Sequence, residues 1–381
     1  MTGFYELAPA AIVSAFGFGM ILAILGSLKP LLSQKIEISE ERVGRWISAA
    51  QLTLIPFVFL SGLGLDHWGA RGTLIMGSLL AGLALFGLSF SRVVWTTWLS
   101  LSALAGGASA LSVGSIVLMP RAFFGNNAAS ANLGLIFVPL AAITTGGLMP
   151  FVLRRLAMHR ALSLLAVICL VPGFAAAMTP SEAFPQAPDL ADSSKVLGNP
   201  ILWLASLAFL LYGPVEGAIG SWSSTYLTQL GFSEVRAGLL VSGFWSTFIT
   251  SRLVAAYLEF SLLRDTEPWI ILMLAGMAAI AVAGLAGTHH RNQAVLWLLL
   301  TGLVLGPIFP NLVGILYRHF AEGELGTAYG AMFLLGGAGS LSMPPVMSAY
   351  ARRTSVRTAL RLPMAISLIL AGGSLALALA K

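Results

Sequence analysis

Charged residues in this chain are spaced so that uncharged, apolar stretches of about twenty residues recur along its whole length, and that is the length at which an α-helix crosses a hydrocarbon core. The runs lie at 8–28, 46–65, 72–91, 93–120, 122–153 and 161–181, then at 199–226, 237–258, 268–288, 294–317, 325–351 and 362–380. Twelve spans of this kind predict an all-α membrane protein. Only 9% of the 381 residues are charged and 57% are hydrophobic, whereas a soluble domain carries roughly a quarter charged residues. A water-soluble globule is therefore excluded, and no room is left for a folded extramembrane domain. The formal net charge of +6 resides in short interhelical loops. The lipid bilayer with its anionic headgroups is thus the expected partner, and nucleic acid is not.

The spans divide six and six around a polar segment. Pro180 to Pro200 holds prolines at 180, 185, 188 and 200, acids at 182, 189 and 192, and no apolar periodicity. It reads as a linker over 180–198, between a six-helix bundle at 1–179 and another at 199–381. Cys169, the single cysteine, lies inside an apolar run, so neither an intramolecular disulfide nor a cysteine metal site is available. The first ten residues carry Glu6 and no basic residue, unlike a signal peptide, so the first apolar run is expected to be a retained helix.

The two halves repeat one another. Ser39-Glu40-Glu41-Arg42-Val43-Gly44 returns as Ser233-Glu234-Val235-Arg236-Ala237-Gly238, with Ser48 matching Ser242. Arg121 and Phe123 match Arg318 and Phe320, and Arg154-Arg155 with Arg160 match Arg352-Arg353 with Arg357. All these matches fall between 194 and 198 residues apart, in the same order. Parallel six-helix repeats, forming two pseudo-symmetric bundles, follow.

Between the second and third spans the chain reads Gly62-Leu63-Gly64-Leu65-Asp66-His67-Trp68-Gly69-Ala70-Arg71. Glycines let helix ends approach closely, Asp66 can face the positive end of a helix, and Arg71 offers a fixed cation. This loop resembles the Gly-x-x-x-Asp-x-x-Gly-x-Arg signature of the major facilitator superfamily, matched at Gly62, Asp66, Gly69 and Arg71, with His67 where a basic residue is usual. Within that superfamily, Tyr212-Gly213-Pro214-Val215-Glu216, then Trp222, Tyr226, Phe244-Trp245 and Ser251-Arg252, together with Gly306-Pro307-Ile308-Phe309-Pro310, are similar to the fucose-permease-related branch. The resemblance implies two bundles that rock to alternate access to a cavity, a gating role for the signature residues, and a small hydrophilic solute as cargo, sugar-like first, with symport as the mode. It also implies a monomer in a bacterial cytoplasmic membrane, with both termini and the Asp66 loop in the cytoplasm. On that orientation only seven of the 21 basic residues lie inside, against the usual positive-inside bias.

Two departures bear on coupling: the first and fourth spans lack the acids that the branch's sugar permeases use, and Ser251 replaces a glycine. The fourth span has no Arg-x-x-Gln-Gly and the fifth lacks the antiporter glycine-proline pattern. Efflux through the same fold therefore ranks below import, and a non-transporting membrane sensor or interaction protein is the alternative of another class.

Ionisable groups inside spans are expensive and mark function. Glu216 and Arg252 are the two found inside the predicted spans. Glu216 follows Gly213-Pro214, expected to break the helix, and is the candidate for carrying a coupled proton. Counting from helix entries sets it roughly 24 Å from the inner side and Arg252 roughly 8 Å from it, so no direct pair is expected. Gln51, Asn132, Trp222, Tyr226, Trp245, Arg252 and Asn311 are the substrate-cavity candidates, each able to hydrogen-bond or stack on a polar solute. His289-His290 has no further ligands, and no metalloprotease helix, phosphate loop or nucleophile elbow is present. No cofactor, no metal and no enzymatic activity are expected.

Overall fold

A computed structural model describes residues 3–36, 39–123, 125, 127–185, 193–263 and 266–379. Every regular element among them is helical. In order they are α1 (Gly3–Ile36), α2 (Glu40–Phe90), α3 (Val94–Ala122), α4 (Ala128–Gly134), α5 (Phe137–Arg155), α6 (Met158–Cys169), α7 (Val171–Met178) and α8 (Ser193–Gly198). Then come α9 (Pro200–Gln229), α10 (Glu234–Ser261), α11 (Glu267–Gly287), α12 (Arg291–Leu305), α13 (Ile308–His319), α14 (Leu325–Arg353), α15 (Val356–Ala359) and α16 (Arg361–Leu379).

Ten stretches among the described residues are long and apolar enough to cross a membrane. One of them, Glu41–Phe90, has 50 residues and holds two crossings, since Gly69 interrupts it with φ 82° and ψ 158°. The more polar α14, 29 residues long, adds a further crossing. The fold is the expected all-α membrane architecture of twelve spans in two repeated sets. Met76, Leu79, Leu83, Phe86 and Phe90 stand exposed in succession on α2. Such a stripe would promote aggregation in water and is what acyl chains solvate. By contrast α3 is buried along nearly all its length, through Gly106-Gly107-Ala108-Ser109-Ala110, because small side chains let neighbouring backbones close in.

Several expected spans are built from two pieces. The run 122–153 becomes α4 and α5 across Leu135-Ile136, and 161–181 becomes α6 and α7 at Leu170, just ahead of Pro172. The run 294–317 becomes α12 and α13 at Gly306-Pro307. A proline there cannot donate to the preceding turn.

The chain forms two compact units. One comprises Met1–Gly125, Gly134–Val196 and Phe320–Gly330, with α3 packed on α1 and α2 and with α5 on α1. The other comprises Asn126–Leu133, Leu197–His319 and Ala331–Lys381, with α16 against α11 and α9, and α12 against α10. Each unit therefore includes a short segment from the opposite half of the sequence. Residues 186–192 of the expected linker lie outside the described residues; a short turn at Ser181–Ala183 and α8 flank them. Matched residues of the repeat land at equivalent places. Ser39 and Ser233 are the N-caps of α2 and α10, and Arg121 and Arg318 lie in the last turns of α3 and α13.

Candidate functional site

In the first unit each signature residue has a physical task. Gly69 adopts a backbone conformation that only glycine enters without strain, which re-aims the chain between the two halves of α2. Asp66, 2% exposed, accepts the Gly326 N–H on Oδ1 at 3.0 Å and the Thr327 N–H on Oδ2 at 2.6 Å. These are donors of the first turn of α14 with no partner inside their own helix, and a carboxylate there also meets the positive end of the helix dipole. Gly62 makes this approach possible, since any Cβ at that position would overlap the Gly326 carbonyl. Arg71 donates from Nε and Nη2 to the carbonyls of Ala176 and Ala177 at 3.2 and 2.8 Å, closing the C-terminal end of α7. His67 is exposed and lies edge-on to Trp68, so the departure from the family pattern leaves the Asp66 cap unaltered. The same segment is held again by Arg121, whose Nε and Nη2 donate to the Glu322 carboxylate, the shortest bond being 2.6 Å. The hydroxyls of Tyr329 and Ser112 lie 3.2 Å apart within the same unit.

In the second unit the polar residues gather at the α12–α13 break. A carbonyl four residues ahead of a proline has no helical donor, and Pro310 stands in that relation to Gly306. Arg252 Nε donates to the Gly306 carbonyl at 2.8 Å, and its guanidinium lies 4.5 Å over the Phe248 ring. The Tyr212 hydroxyl donates to Leu305 at 3.1 Å, and both Glu216 and Arg252 reach it. One expectation is revised here. Gly213-Pro214 does not interrupt α9, which runs unbroken from Pro200 to Gln229, because packing against neighbouring helices offsets one missing hydrogen bond. Glu216 and Arg252 both lie close enough to Tyr212 to act on it and on one another electrostatically.

α10 continues to Ser261 instead of ending at 258, and this extension buries Glu259, 3% exposed. Its Oε2 accepts from Asn132 Nδ2 and its Oε1 from Asn311 Nδ2, both at 2.8 Å. Two of the expected cavity residues are thus fully buried partners of one carboxylate. Sequence reasoning missed Glu259 because charges were used to delimit spans, which ended the eighth span one residue too early. Its position 193 residues after Asp66, close to the repeat spacing, was the available signal.

The remaining candidates separate by burial. Trp222 and Gln51 are half-buried, as is Trp245, which packs edge-on to Phe244 and Phe248 with centroids 5.0 and 5.2 Å away. Tyr226 is 1% exposed, and its hydroxyl lies 2.9 Å from each of the Leu285 and Thr288 carbonyls, at the C-terminal end of α11. Among the described residues no group of three or more His, Cys, Asp or Glu side chains could hold a metal ion.

A helical membrane protein with a six-helix repeat and this capped signature loop defines a class, and comparison with known proteins names it. The family model of the Major Facilitator Superfamily matches residues 7–344. The chain belongs to the major facilitator superfamily. A curated relative, bypass of stop codon protein 6 of Saccharomyces cerevisiae, is 22% identical over 171 residues, 43% of this chain. The match covers 34% of that relative, so the chain spans about a third of its length. Among solved structures the fold is shared with FucP in the outward conformation, at TM-score 0.76 and 17% identity, covering 98% of this chain and 99% of the other. It is shared also with the human organic anion transporter MFSD10 (TM-score 0.73, 14% identity, coverage 97% and 98%). The proton:xylose symporter XylE gives TM-score 0.73 at 12% identity, with coverage of 97% and 94%.

Proposed function

We propose that the protein is a secondary active transporter that moves a small hydrophilic organic solute, sugar-like in its hydroxyl chemistry, by alternating access, with both termini cytoplasmic. The observation that carries this reading is the Tyr212–Glu216–Arg252 group against the freed carbonyls of the α12–α13 break. An acid, a cation, a phenol and backbone carbonyls, with the half-buried rings of Trp222 and Trp245 on the same two helices, α9 and α10, can bond hydroxyls and stack on a pyranose face, which is how sites of this kind orient a polar solute. The structural neighbours include a fucose:proton symporter and a proton:xylose symporter, which supports sugar as the first class to test and proton symport as the first mode.

Glu216 has Arg252 for a counter-charge, so in this reading it serves solute binding before proton carriage. Asp66 and its hold on the first turn of α14 serve gating. A thermal-shift screen of purified protein against neutral sugars, sugar acids and amino acids tests the cargo class. Stabilisation by sugars that is lost in Trp222→Ala is the supporting result, and stabilisation confined to amino acids would replace the sugar reading. Orientation is tested with a single cysteine introduced at 189 after Cys169→Ser. Protection from an impermeant thiol reagent in intact cells supports cytoplasmic termini, and labelling from outside reverses them.

A further inference from the structure

Glu259 is a buried carboxylate whose two hydrogen-bond partners are both uncharged. It is held between two neutral amides, one on α4 from the first half of the sequence and one on α13 from the second. The amide hydrogens are all accounted for. Asn132 Nδ2 gives one to Ala128 O at 3.2 Å and one to Glu259; Asn311 Nδ2 gives one to Pro307 O at 2.9 Å and one to Glu259. Each asparagine Nδ2 has two hydrogens and no acceptor capacity, so the arrangement suits a carboxylate that accepts on both oxygens. Asn132 Oδ1 and Asn311 Oδ1, meanwhile, are buried without a hydrogen-bond partner. Two unused acceptors beside one acid are unusual in a protein interior and have a use if the acid gains a proton. The new O–H needs an acceptor, and turning one amide end over end supplies it, at the cost of that amide's bonds to Glu259 and to its own preceding turn.

One other buried carboxylate acts on Glu259, Glu267 of α11, and its charge is met by Arg318. α4 (Ala128–Gly134) carries no titratable side chain. On α13, Arg318 donates to Glu267 of α11 at 2.8 Å, and the His319 ring pairs with the Ile315 carbonyl. On α10 itself, Arg252 is engaged with Gly306 and Phe248.

We infer that Glu259 is a proton-binding site which, ionised, fastens α4 through the Asn132 N–H and, protonated, exchanges that charge-assisted bond for a weaker neutral O–H bond to the turned amide, loosening α4. Of the two amides, the one on α4 is the freer to turn, because that helix is only 7 residues long whereas Asn311 stands within the 12-residue α13. The inference deepens the transport reading, since a proton-dependent hold on a helix segment is a means of coupling; its test needs no transported solute, so it stands or falls apart from the cargo.

The test is an acid titration of the purified protein in lipid nanodiscs, with the proton as the probe. Infrared difference spectra report protonated carboxyl groups, and hydrogen exchange, corrected for the intrinsic effect of pH, reports the α4 amides. On acidification the wild type should gain a protonated-carboxyl carbonyl band, and exchange of α4 should rise by up to about tenfold per pH unit, the limit for one linked proton, while exchange at Ala108, buried in the middle of α3, stays unchanged. Glu259→Gln should lack that band and exchange α4 independently of pH. Should that variant fold poorly, Asn132→Ala should keep the band at a shifted frequency while α4 exchange no longer follows it. A band that persists unaltered in Glu259→Gln, an α4 whose exchange ignores pH in the wild type, or Ala108 of α3 loosening in step with α4 would overturn the inference.

Discussion

Asp66 and Glu259 stand about one repeat apart and do matching work: each is a buried carboxylate that accepts two N–H bonds and anchors a segment from the other half of the sequence. Their donors differ in kind. Asp66 faces backbone amides at the start of α14, which cannot turn, and so its cap requires the ionised form. Glu259 faces side-chain amides, which can present either a donor or an acceptor. The repeat therefore gives two carboxylate locks, of which the one at Glu259 can take up a proton and keep a weakened hold.

Asp66→Asn puts a donor against one of the two backbone N–H groups of Gly326 and Thr327. A buried donor left without an acceptor costs about 1–3 kcal/mol. Thermal unfolding should show a loss of that size, and exchange at the first turn of α14 should quicken. Transport rate should fall with solute affinity retained; a variant as fast as the wild type would remove Asp66 from gating.

Gly62→Ala and Gly69→Ala should destabilise to a similar extent for different reasons. At 62 the new Cβ meets the rigid Gly326 carbonyl, an overpacking of about 1–3 kcal/mol. At 69 it meets open space, but the φ of 82° is strained for alanine, again on the order of 1–3 kcal/mol. Hydrogen exchange separates them: Thr327 should lose protection in Gly62→Ala and keep it in Gly69→Ala.

Trp222→Ala and Tyr226→Phe separate solute contact from structure. Tyr226→Phe strips two carbonyls at the end of α11 of their donor and should cost about 1–2 kcal/mol of stability without altering solute affinity. Trp222→Ala should leave stability nearly intact and weaken solute binding by about tenfold, the equivalent of one lost stacking face. Calorimetric titration of both variants gives the contrast, and equal affinities would move the solute site away from Trp222.

Glu322→Gln tests the Arg121 ion pair. Its side chains are 37% and 32% exposed, so the pair is worth about 0–1 kcal/mol and should matter less as salt is raised. Arg121 retains its bond to the Ala183 carbonyl. A drop in melting temperature that does not shrink with salt would show the pair to be shielded from solvent.

Much of this architecture was legible in the sequence because the bilayer fixes the length of a crossing and admits few charges, so spans, linker and repeat can be counted. The signature residues were legible too, since Gly62, Asp66, Gly69 and Arg71 each answer a local geometric demand. What could not be read was where a helix goes on past a charge. Glu259 lies one residue beyond its expected span, and only a tertiary partner, Asn132 or Asn311, makes its burial affordable. For the same reason those asparagines read as cavity residues, and Tyr226 as a solute contact, until the carbonyls and carboxylate they serve were in view. Pro214 misled in the opposite direction, since helix packing absorbed the lost bond that the sequence alone would have made a break.

Proton-driven transport is tested most directly by solute uptake into proteoliposomes with an alkaline interior, using labelled fucose and xylose with amino acids as the contrasting class. A sugar should accumulate above its outside concentration, and a protonophore should collapse the gradient. Glu259→Gln should still exchange sugar without accumulating it. Binding without accumulation in the wild type would mark a sensor, and undiminished pH-driven accumulation in Glu259→Gln would contradict the proposed coupling.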